Sequence, residues 1–286
     1  MEYAIFGKTG RKVSRLGYGG ATAGLKNYIR AFDPELQDTK DQIIEGLQTA
    51  YRLGVNYFDT AAAYGDGTSE KIFGEALARI PAGDIFLATK ASPSSARDTR
   101  LSIERSLVNL RREYIDLIQI HGDVYSDDVC NSILAKGGMA DALERARDEG
   151  LVKYIGFTAE CQNAALYRLV ESGRFDSIQI QYNLLFQHPY DPSRKSGSMY
   201  DAENQNMGIV AMRALTSGTF QKWIKTVNPG NTFEYSPALL GFVLSNPLVD
   251  VALVGMRNAA EAAANAAVCG DLNMRMDLGE LHTRYV

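Results

Sequence analysis

The sequence has few of the features that mark secreted, metal-binding or membrane-spanning proteins. Its three cysteines, Cys130, Cys161 and Cys269, are far apart, odd in number and in no CxxC or Cys/His pattern. This spacing disfavours both a disulfide framework and a structural zinc site. No stretch approaches the roughly 18 consecutive apolar residues of a membrane-spanning helix, and the first residues lack the apolar core of a signal peptide. We therefore expect a cytoplasmic protein with no membrane association and no metal.

The chain also lacks the positive charge that nucleic-acid-binding proteins carry. Hydrophobic residues make up 45% of its 286 residues, charged residues make up 22%, and the net charge is -4. Because there is no broad basic field, we expect no nucleic-acid partner. The length permits two domains, but α/β barrels commonly reach this size as one. No linker, repeat or low-complexity segment divides the chain, so we predict a single domain over residues 1–286.

Strand-like and helix-like segments alternate along the chain. After a hairpin at residues 3–6 and 11–14, each apolar run typical of a buried strand is followed by a segment with helical spacing of apolar residues. The predicted strands are 16–20, 55–58, 85–89, 115–120, 152–157, 177–182, 208–213 and 250–254. The predicted helices are 38–53, 68–79, 98–111, 138–149, 163–172, 199–206, 236–245 and 258–268. Eight strand-then-helix units favour an α/β fold of the closed (β/α)8 TIM-barrel type, with an N-terminal β-hairpin, over an open doubly wound sheet.

Four polar side chains lie at or just beyond the ends of three successive predicted strands. Asp59 ends the run 55–58, Tyr64 follows on a glycine-rich loop, and the next two strands end in Lys90 and His121. Singly, each has an ordinary structural explanation as a cap, a packing residue, a solvated lysine or a hydrogen-bonded histidine. Together they lie where active sites occur in such barrels, at the carboxyl ends of the strands. We therefore predict that these four residues form a catalytic site.

The chemistry of this set suits proton transfer to or from an oxygen atom. A tyrosine phenol has an ordinary pKa of about 10, and an ammonium group beside it lowers that pKa by stabilising the phenolate. Lys90 is the candidate ammonium, and Asp59 is the counter-charge that a buried lysine needs. His121 could position a carbonyl oxygen or relay the proton.

Short segments around these residues resemble the signature sequences of the aldo-keto reductases. The segments are Asp59-Thr60-Ala61 with Tyr64-Gly65, Ala88-Thr89-Lys90, Leu117-Ile118-Gln119-Ile120-His121, and, for the hairpin and first strand, Phe6-Gly7-Lys8-Thr9-Gly10 with Val13-Ser14-Arg15-Leu16-Gly17. The resemblance runs from residue 1 to about residue 268. It implies a metal-free barrel enzyme that transfers hydride between a nicotinamide and a carbonyl or alcohol. It assigns Tyr64 as the general acid and Lys90 as the group that lowers its pKa. It also assigns Asp59 as the partner of Lys90 and His121 as the residue that orients the carbonyl.

The resemblance further implies a set of coenzyme contacts around the barrel mouth. The dinucleotide-binding pattern G-x-G-x-x-G is only approached at residues 17–22, so the residues themselves do not support a Rossmann site. The positions that match the family's coenzyme contacts are Gly20, Ala21, Thr158, Gln179, Met212, Arg213, Leu215, Ser217, Gly255, Met256, Arg257, Glu261 and Asn265. At the last strand-to-helix turn, phosphate groups would meet the backbone N–H groups of a helix N-terminus.

Three departures from the family pattern bear on the coenzyme. Thr158-Ala159 stands where many members have Ser-Asn, which predicts the loss of one contact to the nicotinamide amide. Met212 occupies a position that often carries a stacking aromatic, and methionine packs less rigidly. Arg257 is the candidate partner of a 2′-phosphate, although Glu261 close by opposes that charge. We expect NADP(H) to be preferred, with NAD(H) possible.

The expected activity is the NADPH-dependent reduction of an aldehyde or ketone. Three alternatives stay open: an NAD(P)-dependent sugar or polyol dehydrogenase working in the reverse direction, a nicotinamide-binding redox-sensor subunit, and an isomerase or aldolase with Lys90 as a Schiff base. The last is weakened because a lysine paired with Asp59 is a poor nucleophile.

The substrate pocket is expected to lie between long loops. Residues 22–34, 122–136 and 187–199 should form its walls, because loops at this end of a barrel carry function. Their tyrosines, Tyr28, Tyr125 and Tyr190, suit a sugar-like or small hydroxylated carbonyl compound. The sequence does not indicate an oligomeric state.

Overall fold

The chain folds as a closed parallel barrel preceded by a hairpin, as the sequence predicts. The computed structural model describes residues 1–122 and 124–285. The hairpin consists of β1 (Tyr3–Ile5) and β2 (Lys12–Ser14), paired antiparallel. The barrel strands are β3 (Leu16–Gly19), β4 (Tyr57–Asp59), β5 (Phe86–Ala91), β6 (Ile115–Ile120), β7 (Val152–Ala159), β8 (Ser177–Gln181), β9 (Gly208–Met212) and β10 (Val251–Gly255). They pair in chain order, and β10 closes the ring on β3.

Helices connect the strands and cover the outside of the barrel. They are α1 (Ala21–Gly24), α2 (Gln37–Arg52), α3 (Thr68–Leu77), α4 (Ala96–Leu110), α5 (Asp127–Leu134), α6 (Met139–Asp148), α7 (Ala164–Glu171), α8 (Ser198–Asn204), α9 (Thr219–Val227), α10 (Ser236–Leu244), α11 (Ala259–Gly270) and α12 (Leu278–Tyr285). All eight predicted strands and all eight predicted helices are present, and their ends differ by one or two residues from those expected.

The helices that periodicity did not predict are α1, α5, α9 and α12. Of these, α5 lies in the loop that was expected to form a pocket wall after β6, a loop whose Asp123 is outside the described residues. In the described part of the chain, no helix is long and apolar enough to cross a bilayer.

Two layers of side chains fill the barrel from its N-terminal end upward. Inward-facing residues near the hairpin form an apolar cluster of Phe6, Val13, Tyr57, Phe86, Ala88, Leu117, Val210, Val251 and Leu253. Phe6, just after β1, packs edge-on against Tyr57 and Phe86, with ring centroids 5.7 and 5.3 Å apart. The hairpin therefore closes the bottom of the barrel. Polar side chains occupy the interior at the opposite, C-terminal end, where the predicted site lies.

Strand β6 shows how the site is built into a buried sheet. Its Ile115, Leu117, Ile118 and Ile120 are fully buried, as expected for a strand covered on both faces. Gln119 is equally buried, and it is a polar side chain inside an otherwise aliphatic segment. Because successive side chains of a strand point to opposite faces, Gln119 shares the interior face with Leu117 and lies above it toward the mouth.

Candidate functional site

The four predicted catalytic side chains meet at the C-terminal mouth of the barrel. Asp59 is the last residue of β4, Lys90 lies near the end of β5, and His121 directly follows β6. The Tyr64 and His121 rings lie edge to face, with centroids 5.5 Å apart. Lys90 Nζ lies 5.2 Å from the centroid of the Tyr64 ring. The sequence prediction of one site from three strand ends is therefore geometrically consistent.

A close backbone contact positions Tyr64. The loop between β4 and α3 turns through Gly65 and Gly67, whose φ angles of +66° and +87° lie in the left-handed region that favours glycine. A Cβ atom on Gly24 would lie 2.3 Å from the carbonyl oxygen of Tyr64, and one on Gly65 would lie 2.4 Å from the carbonyl oxygen of Gly24. Because both positions are glycine, α1 packs directly against the Tyr64 loop.

Lys90 and Asp59 form a buried ion pair in which each side chain is 1% exposed. Lys90 Nζ contacts Asp59 Oδ1 and also donates a hydrogen bond to the carbonyl oxygen of Thr60 at 2.7 Å. Burial lowers the pKa of Lys90, but Asp59 and Tyr64 together raise it by more than burial lowers it. The pKa therefore lies above its ordinary value. Burial raises the pKa of Asp59, and Lys90 with Gln119 offsets part of that increase. We conclude that Lys90 is held as an ammonium ion.

The pKa of Tyr64 differs from the sequence expectation. Burial raises it above the ordinary value of 10, and Lys90 lowers it by a smaller amount. Lys90 does lower the pKa of Tyr64, as expected, but the net pKa is higher than the ordinary value and not lower. The reason is that the phenolate loses solvation and also faces the carboxylate of Asp59, which raises the pKa as well. At neutral pH the Tyr64 hydroxyl keeps its proton.

A chain of amide side chains continues the polar network across the barrel. Gln119 Nε2 donates to Asp59 Oδ2 at 3.0 Å and lies 3.3 Å from Gln179 Oε1. Gln179 Nε2 lies 3.8 Å from the sulfur of Met212. Gln119 was not among the predicted site residues, although a glutamine within a buried aliphatic strand is a signal, since unpaired polar groups are costly there. Gln179 and Met212, both predicted coenzyme contacts, lie side by side.

Thr158 holds the segment that follows His121. Its hydroxyl donates to the carbonyl oxygen of Gly122 at 2.6 Å and lies 3.1 Å from the Gly122 amide nitrogen, which donates to it. The Tyr125 hydroxyl donates to the Thr158 carbonyl oxygen at 2.8 Å. The Thr158 hydroxyl is thus engaged with the backbone, and Ala159 beside it has no polar group to offer.

Two of the three tyrosines expected to line the pocket pack in the core instead. Tyr125 is 1% exposed and Tyr190 is 8% exposed. Tyr190 stacks on Tyr200, with ring centroids 5.4 Å apart and nearly parallel planes. The expectation that Tyr125 and Tyr190 face a substrate is therefore wrong, because each satisfies its aromatic surface within the fold. Tyr28 alone of the three lies close enough to Tyr64 to interact with it electrostatically.

Comparison with known proteins identifies the family. Residues 15–239 match the model of the Aldo/keto reductase family. The chain belongs to the aldo/keto reductase family. Members are NAD(P)H-dependent oxidoreductases that act on small-molecule carbonyl compounds, and this chain is an enzyme of that class.

Curated relatives and solved structures resemble this aldo/keto reductase over most of its length. It is 27% identical over 302 residues to L-galactose dehydrogenase of Arabidopsis thaliana, an alignment that covers 95% of this chain and 89% of the relative. It is 32% identical over 241 residues to D-threo-aldose 1-dehydrogenase of a Pseudomonas species, covering 73% of this chain and 68% of the relative. An aldo/keto reductase of Klebsiella pneumoniae, solved in complex with NADP and acetate, shares the fold with a TM-score of 0.74 at 18% identity, covering 99% and 94% of the two chains.

The predicted phosphate-binding arginine of this aldo/keto reductase lies beneath the loop after α1. Arg257 is 7% exposed, donates from Nη2 to the Tyr28 carbonyl oxygen at 3.3 Å and lies 5.5 Å from the centroid of the Phe32 ring. Its Nε has no hydrogen-bond partner among the described residues. Glu261 accepts from the Arg257 backbone nitrogen at 2.8 Å and pairs with Arg30 at 2.8 Å. Glu261 Oε2 also lies 3.8 Å from Arg257 Nη1, so the charge that was expected to oppose a phosphate is paired with both Arg30 and Arg257.

The other predicted contacts at the first and last strands have structural roles as well. The Gly20 backbone nitrogen donates to the Asp59 carbonyl oxygen at 2.7 Å. The Met256 side chain is fully buried, and its carbonyl oxygen accepts from the Tyr18 hydroxyl at 2.7 Å. Asn265 Nδ2 donates to the Glu261 carbonyl oxygen at 2.9 Å. A direct side-chain contact from Met256 to a coenzyme is therefore not possible in this conformation.

Glycines let the ends of β3 and β10 lie close to the turn after β3. Gly255 is exposed and pairs in register with Gly19. A Cβ atom on Gly255 would lie 2.9 Å from Thr22 Cγ2, so a side chain there would force Thr22 to shift. Ala21, on the first turn after β3, has a partly exposed side chain. Neither Gly255 nor Ala21 places a large side chain at this part of the mouth.

The loop after β9 is conformationally strained. Arg213, Thr216 and Ser217 have φ angles of +58°, +57° and +50°, a region that side-chain-bearing residues rarely adopt. Arg213 forms an ion pair with Glu160, at the end of β7, with Nη2 and Oε1 2.5 Å apart. Leu215 and Ser217 are partly exposed. Strain of this kind is common at binding sites, in agreement with the predicted coenzyme contacts of this segment.

Proposed function

We propose that this protein reduces an aldehyde or ketone to the alcohol, with hydride from NADPH and a proton from Tyr64. The observation that supports this most directly is the position of Tyr64 beside the buried Lys90–Asp59 pair at the barrel mouth, with Lys90 Nζ 5.2 Å from the centroid of its ring. Family membership supplies the reaction class, and the proton donor, the direction and the coenzyme preference belong to the proposal.

The residues around the mouth fit a nicotinamide coenzyme. The small residues Ala21 and Gly255 leave the adjoining ends of β3 and β10 without large side chains, and Gln179 Nε2 lies near the weak sulfur acceptor of Met212. The unpartnered Nε of Arg257 is a donor suited to a 2′-phosphate, which favours NADPH over NADH. The bound coenzyme supplies the hydride. The relative of Klebsiella pneumoniae, crystallised with NADP, is consistent with this preference.

In the proposed mechanism Tyr64 donates its proton to the carbonyl oxygen of the substrate. Lys90 stabilises the negative charge that then develops on the Tyr64 oxygen, because its ammonium lies beside the ring and interacts with the hydroxyl. Asp59 keeps Lys90 charged and fixed. His121, edge-on to Tyr64, donates a hydrogen bond that positions the substrate oxygen. The Gly24–Gly65 contact keeps the Tyr64 loop rigid and so limits the geometry in which the proton moves.

The test is to replace Tyr64 by phenylalanine. We expect NADPH binding, followed by coenzyme fluorescence, to stay within about twofold of the unchanged protein, and turnover to fall on the order of 10²- to 10⁴-fold. Turnover is followed as loss of NADPH absorbance with a panel of aldehydes, ketones and aldoses. A fully active Tyr64→Phe protein would eliminate Tyr64 as the proton donor. Tight NADPH binding with no turnover of any panel member would favour the redox-sensor alternative.

A sugar dehydrogenase working in the oxidative direction is the second candidate. It is favoured by the similarity to two relatives, L-galactose dehydrogenase and D-threo-aldose 1-dehydrogenase. The same four side chains would serve, with Tyr64 receiving rather than donating the proton. Assays with NADP+ and NAD+ against L-galactose and other aldoses distinguish the two directions. The Schiff-base alternative is disfavoured further because Lys90 Nζ is engaged by both Asp59 and the Thr60 carbonyl oxygen.

A further inference from the structure

We propose that Gln119 is a positioning residue that joins the Asp59–Lys90 ion pair to the nicotinamide-binding side of the mouth through Gln179. The inference rests on the proposed function and assigns a role to a side chain that the four-residue site leaves out. Gln119 is fully buried and contacts two groups with different tasks, the carboxylate that holds Lys90 and the amide that would bind the coenzyme.

The position of Gln119 depends on its neighbours across the sheet. It lies in register with Lys90 on β5 and with Gly156 on β7. The amide of Gln119 reaches across β7 to Gln179 on β8. The register of these strands therefore brings together two glutamines that are 60 residues apart in the chain.

The hydrogen bonds fix the orientation of the Gln119 amide. Its nitrogen lies between two acceptors, Asp59 Oδ2 at 3.0 Å and Gln179 Oε1 at 3.3 Å. The reversed orientation would point an oxygen at two oxygens, so it is excluded by repulsion. Gln119 Oε1 has no partner among the described residues. Burying an unpartnered amide oxygen is unfavourable, which indicates that glutamine is retained here for its two N–H groups and not for stability.

The orientation of Gln119 sets the orientation of Gln179. Because Gln179 Oε1 accepts from Gln119, its Nε2 must point away, toward the sulfur of Met212 at 3.8 Å. A thioether is a weak acceptor, and Gln179 also acts on Asp59 through a side-chain hydrogen bond. Because the Gln179 amide nitrogen carries two N–H donors, one of them can bind the carboxamide oxygen of a nicotinamide. Since the Thr158 hydroxyl is committed to Gly122 and Ala159 has no polar group, recognition of the carboxamide falls mainly on Gln179.

The second hydrogen bond of Gln119 acts on the ion pair. It occupies Asp59 Oδ2 and leaves Oδ1 to Lys90. A hydrogen bond to the ionised carboxylate favours the charged form of Asp59 against the opposing effect of burial. Gln119 thus supports both the orientation of the Gln179 amide and the negative charge of Asp59, which holds Lys90 beside Tyr64. Gln119 touches neither substrate nor reacting atoms, so its role is indirect.

The first experiment replaces Gln119 by methionine, which keeps the length of the side chain and removes the amide. We expect the dissociation constant of NADPH, measured by fluorescence titration, to rise about tenfold, the effect of one lost hydrogen bond. The single-turnover rate should also fall about tenfold, and the pH dependence of kcat should shift. Ser177→Ala is the matched control, because Ser177 is also buried in the barrel interior and its hydroxyl has no partner among the described residues. It should change none of these quantities.

A double-mutant cycle with Gln179→Met separates the two effects. If Gln119 acts on coenzyme binding through Gln179, Gln119→Met should not weaken NADPH binding further in the Gln179→Met background. Its effect on the single-turnover rate, which runs through Asp59, should persist there. Additive losses of NADPH affinity would overturn the proposed route through Gln179. An unchanged affinity, rate and pH profile in the single variant would overturn the role of Gln119 altogether.

Gln119→Glu is a second variant that guards against a folding failure in the first. At neutral pH its carboxylate would face Asp59 Oδ2 and Gln179 Oε1, so it should impair NADPH binding more than methionine does. At lower pH the protonated acid regains one donor, and the defect should shrink, whereas a defect independent of pH would contradict the proposal. If the unchanged protein neither binds nor oxidises NADPH, the proposed function fails. If it does both and these variants behave normally, only the present inference fails.

Discussion

Replacing Lys90 by methionine would test whether the ion pair beneath Tyr64 exists as the structure shows it. The change removes the contact with Asp59 and the 2.7 Å hydrogen bond to the Thr60 carbonyl oxygen. Because both members of the pair are 1% exposed, Asp59 would remain as a buried charge without a counter-ion. Removing one partner of such a pair typically costs about 3–5 kcal/mol. For a chain of this size that corresponds to a melting temperature lower by roughly 10 °C.

Combining Lys90→Met with Asp59→Asn should recover most of this loss. No buried charge then remains, and the asparagine oxygen can still accept from Gln119 Nε2. The remaining cost is the lost hydrogen bond to Thr60, about 1–2 kcal/mol. We therefore expect the double variant to be about 2–4 kcal/mol more stable than Lys90→Met alone when both are measured by urea denaturation.

The pH dependence of the stability of these variants tests whether Asp59 is charged. In Lys90→Met, the pKa of Asp59 in the folded state would lie further above its unfolded value of about 3.9, since burial is no longer opposed by Lys90. The folded state then binds more protons than the unfolded state, so stability falls as pH rises between the two pKa values. The deficit of Lys90→Met should be smaller at pH 5 than at pH 8, and the double variant should show no such change. Equal losses in the single and double variants, independent of pH, would refute an ionised pair.

Two further predictions concern residues at opposite ends of the barrel. Arg257→Ala should raise the KM for NADPH about 10- to 100-fold while leaving the KM for NADH unchanged, and Arg174→Ala, in an outer salt bridge, should change neither. Equal increases for both coenzymes would contradict a 2′-phosphate contact. Burial raises the pKa of Asp250 to about 7, although the hydrogen bond from the Ile209 amide opposes this increase. The protonated carboxyl group therefore stabilises the fold at low pH, and this contribution is lost as pH rises from about 4 to 7. Asp250→Asn should therefore stabilise the fold at pH 8 by about 2–4 kcal/mol in denaturation curves, and an unchanged pH profile would be evidence against this assignment.

The parts of the fold that local sequence determines were predictable. Apolar runs of four to six residues alternate with amphipathic segments, and the eight strands and helices follow from that pattern alone. Asp59, Lys90 and His121 each end such a run, so their convergence follows from the rule that parallel strands share a carboxyl edge. Helix α9 was missed although its apolar and polar residues lie on opposite faces, and it buries none of its residues in the core.

The parts that depend on several strands at once were not predictable. The Gln119–Gln179 contact requires the register of β6, β7 and β8, which is not encoded within one segment. The engagement of Thr158 with Gly122 is of the same kind, since it joins the ends of two neighbouring strands. Each of these contacts forms only when the strands of the barrel are paired.

The electrostatics of Tyr64 do not choose between reduction and oxidation. Burial raises the pKa of Tyr64 more than Lys90 lowers it, and Asp59 raises it as well. The same tyrosine, lysine and aspartate can nevertheless serve either direction, because the group that donates a proton in reduction accepts it in oxidation. The direction is therefore set by the substrate and by the ratio of reduced to oxidised coenzyme, and this is why paired assays with NADPH and NADP+ are needed to distinguish the two candidate functions.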